Sequence, residues 1–215
     1  IIGLPQTGKK TLFQVLTGTR LREQAGPAKA LPGTAEIGDP RFDALAAMYQ
    51  PNKQVRARID LALLPRIEQE SIVKGDIFKE IADVDAICHV VRAFADEAIY
   101  HSAGSVDPLR DVESINGELL MHDQIFVEKR IERIELALKK IKDDKQLKEL
   151  ELMRLMQAML EEEKPLRLMT LGEEEEALIR SYPLITRKEM VVAYNVAEAQ
   201  LADDSLLTET AARFG

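Results

Sequence analysis

The chain has 215 residues, 46% hydrophobic and 31% charged, with a net charge of −8 and a single cysteine, Cys88. That balance suits one α/β domain with an appendage, or two small domains, and argues against nucleic-acid binding over the whole surface, though not against a local basic patch. One thiol allows no internal disulfide and suits a reducing compartment; no apolar run of about 18 residues or secretory leader is seen, so the expected location is cytoplasmic.

In chain order, IIGLPQTGKKTLFQVLTG reads as the tail of a strand, a glycine-rich loop and a helix stopped at Gly18. The first residue is Ile rather than Met, as if the strand were already under way, so the chain reads as trimmed. Residues 19–38 are rich in Gly, Pro and Ala without a period and read as loop. DPRFDALAAMYQP supplies an Asp cap, a first-turn proline and apolar positions 42, 45, 46 and 49, a short helix ended by Pro51. VRARIDLALLP alternates and then turns wholly apolar, which suits a strand entering a buried sheet. DIFKEIADVD is helical in pattern; AICHVVRAF and MVVAYNV (190–196) are β-branched apolar runs expected as parallel strands, the first of them central.

Residues 111–163 contain no proline and are dense in Glu, Lys, Arg and Leu. Val127, Ile131, Ile134, Leu138 and Ile141 recur at alternating spacings of four and three, the seam of a coiled coil. KDDK (142–145) reads as a turn, and Leu147, Leu150, Leu152, Leu155, Met156 and Met159 form a second stripe. An antiparallel helical hairpin is expected, its methionines filling the core. The first helix carries Lys129, Arg130, Arg133, Lys139, Lys140 and Lys142 on its outer face, and the second trends acidic at Glu149, Glu151 and 161–163. Such charges are either a solvated face or a docking surface for RNA phosphate.

The loop GLPQTGKKT carries chemistry. Gly3 and Gly8 stand five apart, Lys9 follows, and a strand and a helix flank them, as in G-x-x-x-x-G-K-[ST]. Such a loop turns backbone N–H groups inward at a helix N-terminus to bind phosphate, and its glycines allow close approach. The next position normally offers a hydroxyl to Mg²⁺, but here it is Lys10; Thr11 is about 100° further round the helix. An ammonium ion cannot ligate a metal. Lys10 either adds positive charge beside the phosphates or points to solvent.

GLPQTGKKTLFQVLTG resembles the GLPNVGKSTLFNALT of the YchF family, the Obg-related P-loop ATPases. DPRFDALAAMYQPNKQ, DVDAICHVVRAF, HSAGSVDPLRDVESINGELLMHD, VEKRIERIE and YNVAEAQL continue the resemblance in the family's order over nearly the whole chain. It implies a G-domain-like parallel sheet flanked by helices, with an inserted coiled-coil arm: residues 1–110 and 171–215 for the G domain and 111–170 for the arm. The family's last G-domain strand and TGS domain are not in the sequence. The implied ligand is ATP or GTP, with Mg²⁺ in doubt; the implied partner is the ribosome or RNA, met by the arm, and no membrane. Expected nucleotide contacts are Gly3, Pro5, Gln6, Thr7, Gly8, Lys9, Lys10 and Thr11, with Asn195 and Glu198 standing where an N-K-x-D motif reads guanine. A strand-ending turn is the alternative role for Asn195. His101 matches a family loop histidine proposed to position water, and otherwise reads as a surface loop residue. His89 reads as a core or sheet-end histidine, and the three histidines and one cysteine show no metal-ligand spacing.

The departures are specific. Where the family writes D-x-x-G, a gapless alignment gives Leu63, Leu64, Pro65 and Arg66; a shifted one offers Asp60, without the glycine. PGTAEIGDP lacks the family's switch threonine pattern. Phosphoryl transfer rests on positioned metal and charge, and one lost donor at such a site costs on the order of 10²–10³ in rate. The expectation is purine nucleotide binding with weak or absent hydrolysis; the rivals are an active Mg²⁺-dependent ATPase or GTPase and a nucleotide-free scaffold.

Overall fold

The computed structural model describes residues 1–21, 29–65, 76–141 and 143–214, with the side chains of 76 and 77 left aside. Its elements are α1 (Lys9–Thr17), β1 (Leu31–Glu36), α2 (Pro40–Tyr49), β2 (Arg58–Leu63), α3 (Asp76–Ala82), β3 (Ala86–Arg92), α4 (Pro108–Leu138), α5 (Asp144–Glu161), α6 (Glu173–Ile179), β4 (Glu189–Asn195) and α7 (Ser205–Phe214), with 3₁₀ turns at Leu166–Leu168 and Glu198–Gln200.

β1 and β2 pair antiparallel, and β3 and β4 pair parallel. Ile1 and Ile2 join the two ribbons. The Ile1 nitrogen donates to Ala62 O (2.6 Å) and Leu64 N donates to Ile1 O (3.1 Å). On the other side Ile2 N donates to Cys88 O (2.8 Å) and Val90 N to Ile2 O (2.9 Å). Both patterns are those of parallel neighbours. The layer therefore runs β1–β2–(1–2)–β3–β4, with β3 inside it. Among the described residues the regular parallel pairing is that of β3 and β4, smaller than the sheet the sequence suggested.

Period-two alternation distributes side chains to the two faces. Ile1, Leu63 and Val90 meet Phe13 of α1 on one face. Ile2, Leu64 and Ile87 meet Phe78 and Ile81 of α3 and Ile115 and Leu119 of α4 on the other. A separate cluster joins the distal half of α4 to α5 and α6, with Val127, Ile134, Met153, Met156, Leu160 and Ile179 at its centre.

Helix ends follow their local chemistry. Asp39 and Asp107 cap α2 and α4 ahead of first-turn prolines, accepting from Arg41 N and Arg110 N, and Asp143 caps α5. Gly8 and Gly18 bracket α1 in left-handed conformation.

Several expectations are corrected. Part of the expected loop 19–38 is strand β1; residues 22–28 lie outside the described residues. Pro32 and Gly33 hide it from propensity, yet Gly33 is required, because a Cβ there would stand 2.5 Å from the Phe13 ring. The first long helix begins at Pro108, ahead of 111. In the two stripes, Ile141 (74% exposed), Leu147 and Leu155 face solvent, while Met153 is fully buried. Glu149 is buried rather than solvated: Arg130 turns inward to grip it with Nε (2.6 Å) and Nη2 (3.0 Å), and the Tyr182 hydroxyl adds a third contact. Burial and the Glu149 carboxylate push the Tyr182 phenol up to about 12. Lys142, of the basic face, lies outside the described residues.

Candidate functional site

The loop leaves Ile2 at the carboxyl end of the sheet and enters α1 through Gly8 (φ 90). Gly3 lies against β3 so closely that a Cβ would stand 2.5 Å from Val90 O, and a Cβ at Gly8 would overlap the Asn195 side-chain nitrogen. Lys9 is buried and folds back across the loop, its Nζ donating to Gly3 O (2.6 Å). Thr7 is buried, and its hydroxyl donates to Leu4 O (3.1 Å). Gln6 forms the exposed tip at φ 62, Pro5 and Lys10 are half-buried, and Thr11 is exposed. The result is a glycine loop at a helix N-terminus with the Lys9 ammonium laid over it, and Lys10 follows, half-buried, in the first turn of α1.

Asn195 ends β4 next to this loop. Its Nδ2 donates to Thr7 O (3.1 Å), and its own carbonyl accepts from Ala93 N (2.8 Å) and Phe94 N (3.2 Å). One residue thus joins the ends of β3 and β4 to the loop. Glu198 lies in the exposed 3₁₀ turn that follows.

His101 is not a surface residue. It is 5% exposed, its Nε2 meets Asp111 Oδ2 (2.8 Å), and its Nδ1 accepts from Ala103 N (3.2 Å). An N–H aimed at Nδ1 leaves the ring proton on Nε2, where it donates to the carboxylate. Arg110 grips the other Asp111 oxygen (3.0 Å) and Ser105 O (2.7 Å). Loop 101–107 is thereby fastened to the first turn of α4, and His101 presents no spare nitrogen to a water in this arrangement.

Sequence reasoning missed Arg92. It is 1% exposed at the end of β3 and donates to Phe94 O (3.1 Å), Asp96 O (3.1 Å) and Ile99 O (3.0 Å), with its guanidinium 4.6 Å from the Phe94 ring centre. It holds the turn after β3 on the same edge as the nest. The only signal was a cation closing an apolar strand. His89 is buried in β3, as expected, and both ring nitrogens lack a partner among the described residues. Burial, with a smaller push from Lys9, lowers its pKa to about 4.

The donor set was tested for both expected groups. A triphosphate fits: Gly3 leaves no room for a Cβ against Val90 O, Gly8 makes the left-handed turn into α1, and the Lys9 ammonium lies over the loop. Among the described residues, the ligands expected for magnesium are missing. Lys10 replaces the hydroxyl, Leu63 and Leu64 are buried in the core, and Asp60 sits within β2, accepting from the Thr34 hydroxyl (2.9 Å) across the β1–β2 pair. Among the described residues, no group of three His, Cys, Asp or Glu side chains could hold a metal ion. Arg66 lies outside them.

A glycine nest between a sheet's carboxyl edge and a helix N-terminus, with a lysine folded over it, defines the phosphate-binding-loop class of mixed α/β domain. The chain belongs to the YchF family within that class, also named Obg-like ATPases. It is 37% identical over 212 residues to the ribosome-binding ATPase YchF of Bacillus subtilis, covering 95% of this chain and 58% of that protein. It is 35% identical over 206 residues to Obg-like ATPase 1 of Oryza sativa subsp. indica, covering 92% of this chain and 52% of the relative. The solved YchF GTPase of Schizosaccharomyces pombe superposes with a TM-score of 0.74 at 26% identity, over 98% of this chain and 60% of that one. The chain thus spans little more than half the length of these relatives. No protein-family model matches it. Among the described residues, no helix is long and apolar enough to cross a membrane.

Proposed function

We propose that the chain binds a purine nucleotide, ATP or GTP, without requiring Mg²⁺, and hydrolyses it weakly or not at all. The observation that supports this best is Lys9 lying over a loop in which Gly3 leaves no room for a Cβ. On this reading Lys9 leaves Gly3 O for the terminal phosphates, the amides of residues 5–11 cradle them, and Lys10 contributes the positive charge a metal would otherwise supply. The base end lies towards Asn195 and Glu198. The printed names of the relatives include both ATPase and GTPase, so both bases are carried forward.

The nucleotide-binding part comprises 1–110 and 171–215, and 111–170 is an antiparallel coiled-coil arm. The arm meets the ribosome or RNA, a partner drawn from relatives named as ribosome-binding. The role is regulatory or translation-associated, in the cytoplasm.

Titration with fluorescent ATP and GTP analogues tests the central claim. Lys9→Ala should weaken binding tenfold or more; unchanged affinity would overturn the cradle assignment. A second reading, Mg²⁺-dependent turnover, is favoured by the relatives' names alone. Steady-state hydrolysis with and without Mg²⁺ separates the two, and Lys10→Ser should create metal dependence if the missing hydroxyl is the main loss.

A further inference from the structure

We infer that the far end of the α4–α5 pair is a docking surface for an acidic, amphipathic protein helix. The inference rests on the proposal that the arm meets the ribosome, and specifies that a protein of that particle, rather than its RNA, covers the tip.

A groove of about 480 Å³ lies where the last turns of α4 meet the start of α5, lined by Arg133, Leu136, Ala137, Lys140, Ile141, Asp143 and Gln146, so that two cations stand against one carboxylate, and that carboxylate already caps α5 through Lys145 N. Leu136 is 59% exposed and Ile141 74%, in a part of the molecule where the other stripe residues of α4 turn inward. Further down the pair the cations are matched: Arg130 with Glu149, Arg154 with Glu135, Lys148 with Glu174. At the tip they are not, and Arg133 and Lys140 have no ion pair or hydrogen-bonded side-chain partner among the described residues.

These features ask for aliphatic contact and carboxylates together. A helix laid in a groove supplies aliphatic anchors at i and i+4 with acidic residues beside them. RNA fits less well. Arg133 and Lys140 suit a phosphate, but no aromatic side chain lines the groove for a base to stack on, and the two exposed aliphatic side chains offer nothing to RNA.

The test uses the whole chain, purified ribosomes and protein-free ribosomal RNA. Ile141→Asp and Leu136→Asp should each reduce co-sedimentation with ribosomes tenfold or more, with helical content and nucleotide affinity unchanged. Photoreactive benzoylphenylalanine in place of Ile141 should cross-link to a ribosomal protein. Cross-linking to RNA, or equal sedimentation of the wild type with protein-free RNA, overturns the inference. So does normal sedimentation of both aspartate variants, and in that case ribosome binding itself survives. If the wild-type chain does not sediment at all, the ribosome proposal falls and takes this inference with it.

Discussion

Gly3 and Gly8 occupy similar places in the nest but meet different obstacles. At Gly3 the obstacle is a backbone carbonyl, Val90 O, fixed in β3; at Gly8 it is the movable end of Asn195. Gly3→Ala should therefore cost about 3 kcal/mol or more, from overpacking plus strain at φ +153. Gly8→Ala should cost about 2 kcal/mol, part strain and part loss of the Asn195 bond to Thr7. In an Asn195→Ala background the Gly8 penalty should shrink towards the strain alone and the Gly3 penalty should stay, as read in a double-mutant cycle by urea unfolding. His89 makes a different kind of prediction. Its pKa falls from 6.5 to about 4 on folding, so above pH 6.5 both states are neutral and nothing is lost. Below it the unfolded chain takes up a proton that the folded one refuses, and stability drops by about 1.4 kcal/mol per pH unit, about 3 kcal/mol by pH 4. His89→Leu should remove that slope from the wild-type-minus-variant difference curve and cost little at pH 7, since neither ring nitrogen has a partner to lose among the described residues. The nest was legible in the sequence because its chemistry is set by residue identity and spacing. The roles of His101, Arg92 and Glu149 were not, because each depends on what the fold brings to it: Asp111, three carbonyls, Arg130.

Among the elements, α4 does most to connect the parts. It begins at the capped turn beside His101, covers the sheet with Ile115 and Leu119, and continues into the distal cluster at Val127. Asp123 sits where those two roles meet. It is fully buried, and its carboxylate accepts from Ile185 N (2.9 Å), Thr186 N (2.7 Å) and the Thr186 hydroxyl (2.7 Å), with His122 alongside (3.0 Å). This ties the segment ahead of β4 to the helix, and so fixes where Asn195 emerges. Asp123→Ala would leave buried donors without acceptors, each costing about 1–3 kcal/mol, so a loss of at least about 3 kcal/mol is expected in urea unfolding. Thr186→Val, which removes the hydroxyl that donates to Asp123 and accepts from Leu166 N (3.2 Å), leaves a buried N–H without an acceptor and should cost about 2 kcal/mol. Helices with capped ends and long apolar stripes were legible, and their boundaries came within a few residues. Strand β1 was not: Leu31–Glu36 is held by its partner β2 and by the fit of Gly33 over Phe13, neither visible in LPGTAE. The seam was misread at Ile141 and Leu147 because a heptad count assumes a partner along the whole helix, and near the tip the partner runs out; Leu155 lies mid-helix on the outer face, with Leu152, Met153 and Met156 taking the buried one.

At the scale of the molecule, Ile1 and Ile2 lie at the middle of the layer. Ile1 and Ile2 are the link between the β1–β2 ribbon and the β3–β4 pair, and the nest begins at the very next residue. A ligand gripped by residues 3–11 therefore pulls on the seam of the whole sheet, and its binding should register as global stability. A ligand at about 100 times its dissociation constant adds roughly 2.7 kcal/mol. For a chain of this size that is a rise in melting temperature of roughly 5–10 °C. If Lys9 and Lys10 together do the electrostatic work, the rise with ATP or GTP should be the same in EDTA as in Mg²⁺, and Lys9→Ala should abolish it. A rise seen only with Mg²⁺ would mean that the metal finds ligands in spite of Lys10 and of Asp60 held by Thr34, and metal-independent binding would have to be given up. Equal rises for Lys9→Ala and wild type would place the ligand elsewhere, since no other described side chain crosses the nest to its first carbonyl.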